Sequence, residues 1–208
     1  MARHRKAASK PRDQSPLAGQ REPGLRIIGG SMRGRKLFYS EQERTRPMKD
    51  RVREAVFNLV GPAVAGKHAV DLFAGTGALG LEAISRGALR ATFIEQHFPT
   101  AALIRKNAAA LNIVDRCRVE AANAFIWLQN QTPDSDTPWL AFCSPPYAFY
   151  VERQAEMLSM IQTLLERVPQ GSILVVESDK QFDIGLLPAA EEWDIRHYPP
   201  AMVAIFRR

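Results

Sequence analysis

Between residues 63 and 208, short apolar runs alternate with stretches whose apolar positions recur at helical spacing. The runs fall near residues 68–73, 90–95, 117–122, 139–143 and 172–177, and the helical patterns near 79–87, 98–111, 123–130 and 150–168. This alternation predicts an α/β fold with a mostly parallel sheet covered by helices on both faces. The end of the chain breaks the rhythm. Trp193-Asp194-Ile195-Arg196-His197-Tyr198, a Pro199-Pro200 corner and Met202-Val203-Ala204-Ile205-Phe206 predict a closing antiparallel pair. Upstream, Leu25-Arg26-Ile27-Ile28 and Arg35-Lys36-Leu37-Phe38-Tyr39 flank glycine-rich turns, which predicts a β-hairpin. Apolar residues at 48, 52, 55, 56, 59 and 60 predict a helix from Met48 to Val60, stopped by Gly61-Pro62. Residues 40–47 and 130–138 are predicted polar loops.

Charge divides the chain differently. Residues 1–53 carry 15 Lys and Arg against 5 Asp and Glu, whereas the remaining residues carry 13 against 17. Basic character confined to one end is the footprint of a surface that faces a polyanion. Residues 1–24 are rich in Pro, Gln, Ser and Arg without periodicity and are predicted to be a disordered basic tail. Three parts follow: the tail 1–24, a hairpin-and-helix extension 25–62 facing the polyanion, and an α/β domain 63–208. No apolar stretch approaches the roughly 20 residues of a spanning helix, and none follows the basic N-terminus as in a secretory signal. A cytoplasmic protein with no membrane partner is expected. Cys117 and Cys143 give no zinc spacing and the four histidines no ligand pattern, so no metal is expected.

Two segments carry the chemistry. Val70-Asp71-Leu72-Phe73-Ala74-Gly75-Thr76-Gly77-Ala78-Leu79-Gly80 is an apolar run ending in an acid and a glycine-rich turn before a helix. This is how a parallel sheet presents ligand-binding backbone at its carboxyl edge. Gly75, Gly77 and Gly80 also spell a dinucleotide-binding spacing. Asp71 argues against that use, because a carboxylate opposes a pyrophosphate but suits the ammonium and sulfonium groups of S-adenosylmethionine. Glu95 closes the next apolar run, where an acid can accept both ribose hydroxyls of either cofactor. Ser144-Pro145-Pro146-Tyr147 ends the run Trp139-Leu140-Ala141-Phe142-Cys143 and should project from the same edge. The Ser144 oxygen and the Pro145 carbonyl can accept the N–H bonds of an exocyclic amine, turning its lone pair toward a methyl donor. Pro145 and Pro146 stiffen the loop, and Tyr147 offers a stacking face worth about 1–3 kcal/mol. Together these segments predict methyl transfer from S-adenosylmethionine to a planar amine.

From Leu25 to Arg208 the chain resembles the RsmD family, bacterial 16S rRNA guanine-N2 methyltransferases. The resemblance is carried by Arg26-Ile27-Ile28-Gly29-Gly30, Arg33-Gly34-Arg35-Lys36-Leu37, Arg46-Pro47 with Asp50-Arg51-Val52-Arg53-Glu54, and Asp71 through Ala83. Glu95, Asn123-Ala124 and the Pro-Pro loop follow in the family's order. It implies a class I methyltransferase (Rossmann-like) seven-stranded sheet, S-adenosylmethionine as cofactor, and a guanine of 16S rRNA in the small subunit or a late precursor as target. A monomer is expected. Asn123 matches where the family contacts the adenine ring, although a helix cap explains it equally well. Ala124 follows it, and Phe73 is expected beside the cofactor. Arg26, Arg33, Arg35, Lys36, Arg46, Lys49, Arg51 and Arg53 are candidate phosphate contacts, with Arg51 or Arg53 alternatively pairing with Asp50 or Glu54.

One residue departs from the family. Asp usually precedes the two prolines, and here Ser144 stands in its place. A neutral hydroxyl accepts more weakly than a carboxylate. The substitution leaves two alternatives open: amino-methylation of DNA or of another rRNA base, and a non-catalytic ribosome-assembly factor that keeps the fold.

Overall fold

The structure, a computed structural model, describes residues 24–39, 48–130 and 137–208. The predicted tail up to residue 23, the loop 40–47 with candidate Arg46, and most of the loop 130–138 lie outside the described residues.

Helix α1 (Asp50–Val60) precedes the alternating array β1 (His68–Asp71), α2 (Ala78–Ser85), β2 (Arg90–Ile94), α3 (Phe98–Ala110), β3 (Cys117–Glu120), α4 (Ala124–Asn130) and β4 (Trp139–Cys143). Then come α5 (Phe149–Glu152), α6 (Gln154–Arg167), β5 (Ile173–Asp179), β6 (Asp194–Tyr198) and β7 (Ala201–Arg207). The strands form one seven-stranded sheet in the order β3-β2-β1-β4-β5-β7-β6. Strands β1 to β5 pair in parallel, and β7 is antiparallel to both neighbours. The predicted strand and helix centres and the closing antiparallel pair are all present.

The order of connection reverses between β1 and β4, which lie side by side with Asp71 paired to Phe142. Successive strands on either side of this switch point send their helices to opposite faces, which opens a crevice beyond the strand ends. The loops after β1 and β4 therefore flank one crevice.

Alternation along each strand divides the core into two layers. Leu140 and Phe142 of β4 join the layer beneath α1, α2 and α3, whereas Ala141 and Cys143 join the layer beneath α4 and α6. Helix α1 buries Val52, Val56, Phe57 and Val60, spaced to fall on one face. The Phe57 ring tilts against Phe142 at 5.7 Å. The N-terminal extension thus packs in the same apolar layer as the sheet.

Two sequence expectations change. The predicted hairpin contains a single antiparallel bridge, Arg26 to Lys36, instead of two strands. Its backbone donors at Ile28 and Gly29 bond the Glu82 carboxylate of α2 at 2.7 and 2.6 Å, so the ladder cannot continue. The turn beyond is pressed onto the end of α2, where Ser85 accepts the Ser31 N–H at 2.8 Å. A Cβ at Gly30, which has φ +77°, would sit 1.9 Å from the Ser85 carbonyl oxygen. The predicted helix 150–168 is broken into α5 and α6 at Arg153, whose φ of −131° is not helical.

Candidate active site

Asp71 ends β1 almost fully buried, at 1% exposure. Its Oδ2 accepts the Gly80 N–H at 3.3 Å, while Oδ1 has no hydrogen-bond partner. Burial pushes the carboxyl up to about 7, against the bond from Gly80. The glycine loop beside it turns tightly, with the Gly77 N–H on the Ala74 carbonyl at 2.6 Å. Gly77 takes φ +75° at the start of α2, where a Cβ would meet the Ile104 side chain at 3.1 Å. Gly75, at φ +48°, is also left-handed. Glu95 stands just beyond β2. Its Oε2 accepts the Gly75 N–H and its Oε1 the His97 N–H, each at 2.8 Å. These two bonds fix the carboxylate across the loop and leave further lone pairs for a ligand's hydroxyls.

This donor and acceptor set fits S-adenosylmethionine. A cationic group beside Asp71 would partner the orphaned Oδ1 and favour its charged form, whereas a pyrophosphate would face a buried carboxylate. Phe73, half-buried, forms edge contacts with Phe125 and Phe149 at 5.8 and 6.1 Å. The Arg153 guanidinium lies over Phe125 at 4.1 Å and over Phe149 at 5.0 Å. Asn123 caps α4: its Oδ1 accepts the Phe125 N–H at 3.0 Å and the Ile126 N–H at 3.4 Å. The cap occupies its side-chain oxygen, and Ala124 is buried in the helix's first turn. Sequence reasoning missed Phe125 and Phe149, because aromatic residues early in a helix read equally well as core, and Arg153, because the helix break that sets it over their rings was not foreseen.

Beyond β4, Pro145 is buried, Pro146 exposed, and Ser144 and Tyr147 half-buried. The Pro146 carbonyl accepts the Phe149 N–H at 2.9 Å, folding the loop into α5. The Ser144 hydroxyl donates to Glu177 Oε2, and the Tyr147 hydroxyl donates to Glu177 Oε1 at 2.8 Å. Glu177 is 5% exposed, and burial raises its carboxyl above the ordinary range despite both bonds. Burial, then the neighbouring carboxylate, raises the Tyr147 phenol well above its usual value, so it stays protonated at neutral pH. Glu177 was also missed. Its signal was an acid at the end of the apolar run Ile173-Leu174-Val175-Val176, the same pattern that marked Asp71 and Glu95. Cys143 is a buried thiol, pushed up to about 12 by desolvation and 3.9 Å from the Tyr150 hydroxyl.

The basic candidates separate. Arg26, Arg33, Arg35, Lys36, Lys49 and Arg51 are exposed. Arg26 lies 3.6 Å from Asp50, and Arg35 donates to the Ala110 carbonyl at 2.6 Å. Arg53 does not face a polyanion. It is fully buried, donating to Asp50 at 3.0 Å and to the Arg26 carbonyl at 2.6 Å, with Nε 3.8 Å from Glu82. Its helical position, one turn before Phe57 and beside Val52, turns it inward under the extension. The bridge tip holding Arg33 packs at the carboxyl ends of α2 and α3, against Ser85 and Ala110. Those helix ends lie toward the sheet edge opposite the crevice, because each helix runs back from it. Lys49 and Arg51 open α1, whose other end reaches Arg207 at that far edge. Among the described residues no cluster of three or more His, Cys, Asp or Glu could hold a metal, and no helix is long and apolar enough to cross a membrane.

Known proteins are similar to this chain over most of its length. The family described as conserved hypothetical protein 95 matches residues 25–206. Ribosomal RNA small subunit methyltransferase D of Escherichia coli strain K12 is 34% identical over 186 residues, covering 88% of each chain. The protein of that name from Haemophilus influenzae is 34% identical over 163 residues, 75% of this chain and 79% of its own. The solved structure of the Escherichia coli protein yhhF superposes with a TM-score of 0.72 at 32% identity, covering 89% of this chain and 98% of that one. An RNA methyltransferase from Salinibacter ruber, solved with S-adenosyl-L-homocysteine, shares the fold with a TM-score of 0.57 at 17% identity, covering 77% of this chain and 92% of that one. The chain therefore belongs to the conserved hypothetical protein 95 family, which is the RsmD family of S-adenosylmethionine-dependent class I methyltransferases.

Proposed function

We propose that this protein methylates the exocyclic N2 amine of a guanine in 16S rRNA, within the small ribosomal subunit or a late precursor. The observation that carries the reading is the Ser144-Pro145-Pro146-Tyr147 loop, set across the β1/β4 crevice from the glycine loop. The relatives named as small-subunit rRNA methyltransferases support the RNA substrate.

S-adenosylmethionine, when bound, supplies an electrophilic methyl group. Asp71 and Glu95 hold its polar ends, and Gly75 and Gly77 let the loop backbone approach it. Phe73, with Asn123 and Ala124 at the start of α4, borders the same side of the crevice. The Ser144 oxygen and the Pro145 carbonyl accept the two N–H bonds of the target amine, and Tyr147 stacks on the base. With the amine held so, its lone pair points toward the methyl group, and most of the acceleration comes from this alignment rather than from a strong base. Exposed Arg26, Arg33, Arg35, Lys36, Lys49 and Arg51 meet phosphates, which fix register without reading sequence.

The test is transfer of tritiated methyl from S-adenosylmethionine to purified, undermethylated small subunits, followed by nucleoside analysis. Label in N2-methylguanosine is the expected result. Label in DNA or in another base, or cofactor binding without transfer, would overturn the reading.

A further inference from the structure

The pairing of Cys143 with Val176 brings Ser144, the first residue after β4, beside Glu177 of β5. Glu177 is a buried carboxylate whose two oxygens each accept one hydroxyl, and both hydroxyls belong to the Pro-Pro loop. No basic side chain among the described residues pairs with it. Keeping a carboxylate there is unfavourable for folding, because desolvation opposes its charge and no cation compensates. What it does is orient. The Ser144 proton points at Glu177, so the Ser144 lone pairs are turned away from β5 and toward whatever the loop holds. The Tyr147 ring is tethered through its hydroxyl to the same carboxylate. Where the RsmD resemblance places an aspartate before the prolines, this chain has a hydroxyl with a carboxylate one hydrogen bond behind it.

We propose that Glu177 is a positioning residue for methyl transfer: it sets the Ser144 and Tyr147 hydroxyls and receives, through Ser144, the proton that the target amine releases. This inference rests on the reading of the Pro-Pro loop as the amine-holding element. The step balances as follows. The amine lone pair forms the nitrogen–carbon bond while the carbon–sulfur bond breaks with its electron pair left on sulfur. The nitrogen, now positive, gives one proton to Ser144 Oγ as the Ser144 hydroxyl proton moves to Glu177 Oε2. The products are a neutral methylamino group, an intact Ser144 hydroxyl and a protonated Glu177, which then returns its proton to solvent. A serine hydroxyl alone is too weak a base to take that proton. The carboxylate behind it supplies the basicity while staying out of contact with the base.

Glu177→Gln tests this, since it keeps the shape and one acceptor but removes the charge. Single-turnover methylation should fall roughly 10²-fold, the scale for one lost transition-state interaction. At saturating S-adenosylmethionine, which removes the pH dependence that Asp71 gives to cofactor binding, the wild-type rate should rise with pH to a plateau as Glu177 ionises, and the variant should lose that limb. Calorimetry should show S-adenosylmethionine affinity changed less than twofold. The ligand-free variant should melt at pH 8 no lower than wild type, because a group whose carboxyl is raised by burial opposes folding once ionised. Adding Ser144→Asp to Glu177→Gln returns a carboxylate to the loop and should recover at least tenfold of the rate. A Glu177→Gln rate within twofold of wild type would overturn the inference alone. So would a loss of rate matched by loss of melting temperature or cofactor affinity, which marks a structural role. Failure of wild type to label guanine would overturn the functional reading and this inference with it.

Discussion

The Glu82 carboxylate accepts the backbone N–H of Gly29 at 2.6 Å, tying the basic N-terminal segment to the helix that follows the cofactor loop. The same carboxylate takes the Ile28 N–H, bonds Arg86 at 2.8 Å and faces the buried Arg53. Glu82→Ala strips the partner from two backbone donors and leaves Arg53 more weakly compensated. A loss of about 3–5 kcal/mol is expected, the range for removing one member of a buried charged network. Glu82→Gln, which keeps an acceptor, should lose less. Urea unfolding checks both, and a Glu82→Ala midpoint equal to wild type would show that the extension is held by apolar packing alone.

The unpaired Oδ1 of Asp71 predicts a pH signature. The carboxyl ionises near 3.8 when exposed and near 7 in the folded, ligand-free protein. Its contribution to stability is therefore greatest below pH 4, declines as pH rises toward 7 and then levels, at a total of about 4 kcal/mol by linkage. Asp71→Asn should melt above wild type at pH 8, with the difference vanishing near pH 4. S-adenosylmethionine affinity of wild type should strengthen up to about tenfold per pH unit between 5 and 7, because the cation prefers the ionised acid. Asp71→Asn should bind weakly and without that dependence. Calorimetry across pH that shows parallel curves for the two proteins would remove Asp71 from the cofactor site.

Legibility of the chain followed the range of the interactions. The sheet and its crevice were readable because the central strands are short apolar runs, Trp139–Cys143 for example, with a functional residue at or just beyond the end of the run. The N-terminal hairpin was legible as a pairing, with the Ile27 N–H on the Arg35 carbonyl and the Leu37 N–H on the Leu25 carbonyl, but its shortness was not, because Glu82, more than fifty positions downstream, takes the next backbone donors. Arg53 was legible in part: its pairing with Asp50 was one of the two sequence alternatives and is present, but its burial was not readable, because composition counts charge without knowing that Glu82 folds against it. In sequence Glu177 follows an apolar run, as Asp71 and Glu95 do, although β5 continues past it to Asp179. Its role only became visible once β4 and β5 were paired in register, because Ser144 and Glu177 lie 33 positions apart.

Asn123 separates a cap from a ligand contact. Its side-chain oxygen serves the first turn of α4, so Asn123→Asp, which keeps that acceptor, should preserve stability, and Asn123→Ala should lose about 0.5–2 kcal/mol. If the amide N–H group also meets the adenine ring, Asn123→Asp should weaken S-adenosylmethionine binding severalfold while melting unchanged. Thermal melts and calorimetry on the two variants distinguish the roles. Equal affinity in Asn123→Asp and wild type would assign Asn123 to the cap alone.

The exposed basic residues divide by their distance from the chemistry. Arg33, Arg35 and Lys36 sit by the carboxyl ends of α2 and α3, far from the crevice, so they can only add phosphate contacts on an extended RNA surface. Neutralising all three should raise the RNA KM and reduce the slope of log affinity against log salt by about two, given roughly 0.7–0.9 per phosphate contact. The reduction is below three full contacts because Arg35 already bonds the Ala110 carbonyl. Single-turnover kcat at saturating RNA should hold, since no group at the crevice changes. Lys49 and Arg51 begin α1 at the end remote from Leu59, whose carbonyl meets Arg207. Their neutralisation should therefore lower kcat/KM and, by loosening the register of the target base, kcat as well. Arg53→Gln supplies the contrast: a buried arginine should alter the unfolding midpoint and leave the salt slope unchanged. A salt slope that is the same in wild type and in the Arg33, Arg35, Lys36 triple variant would make that tip a solvated surface and confine the RNA footprint to the α1 side.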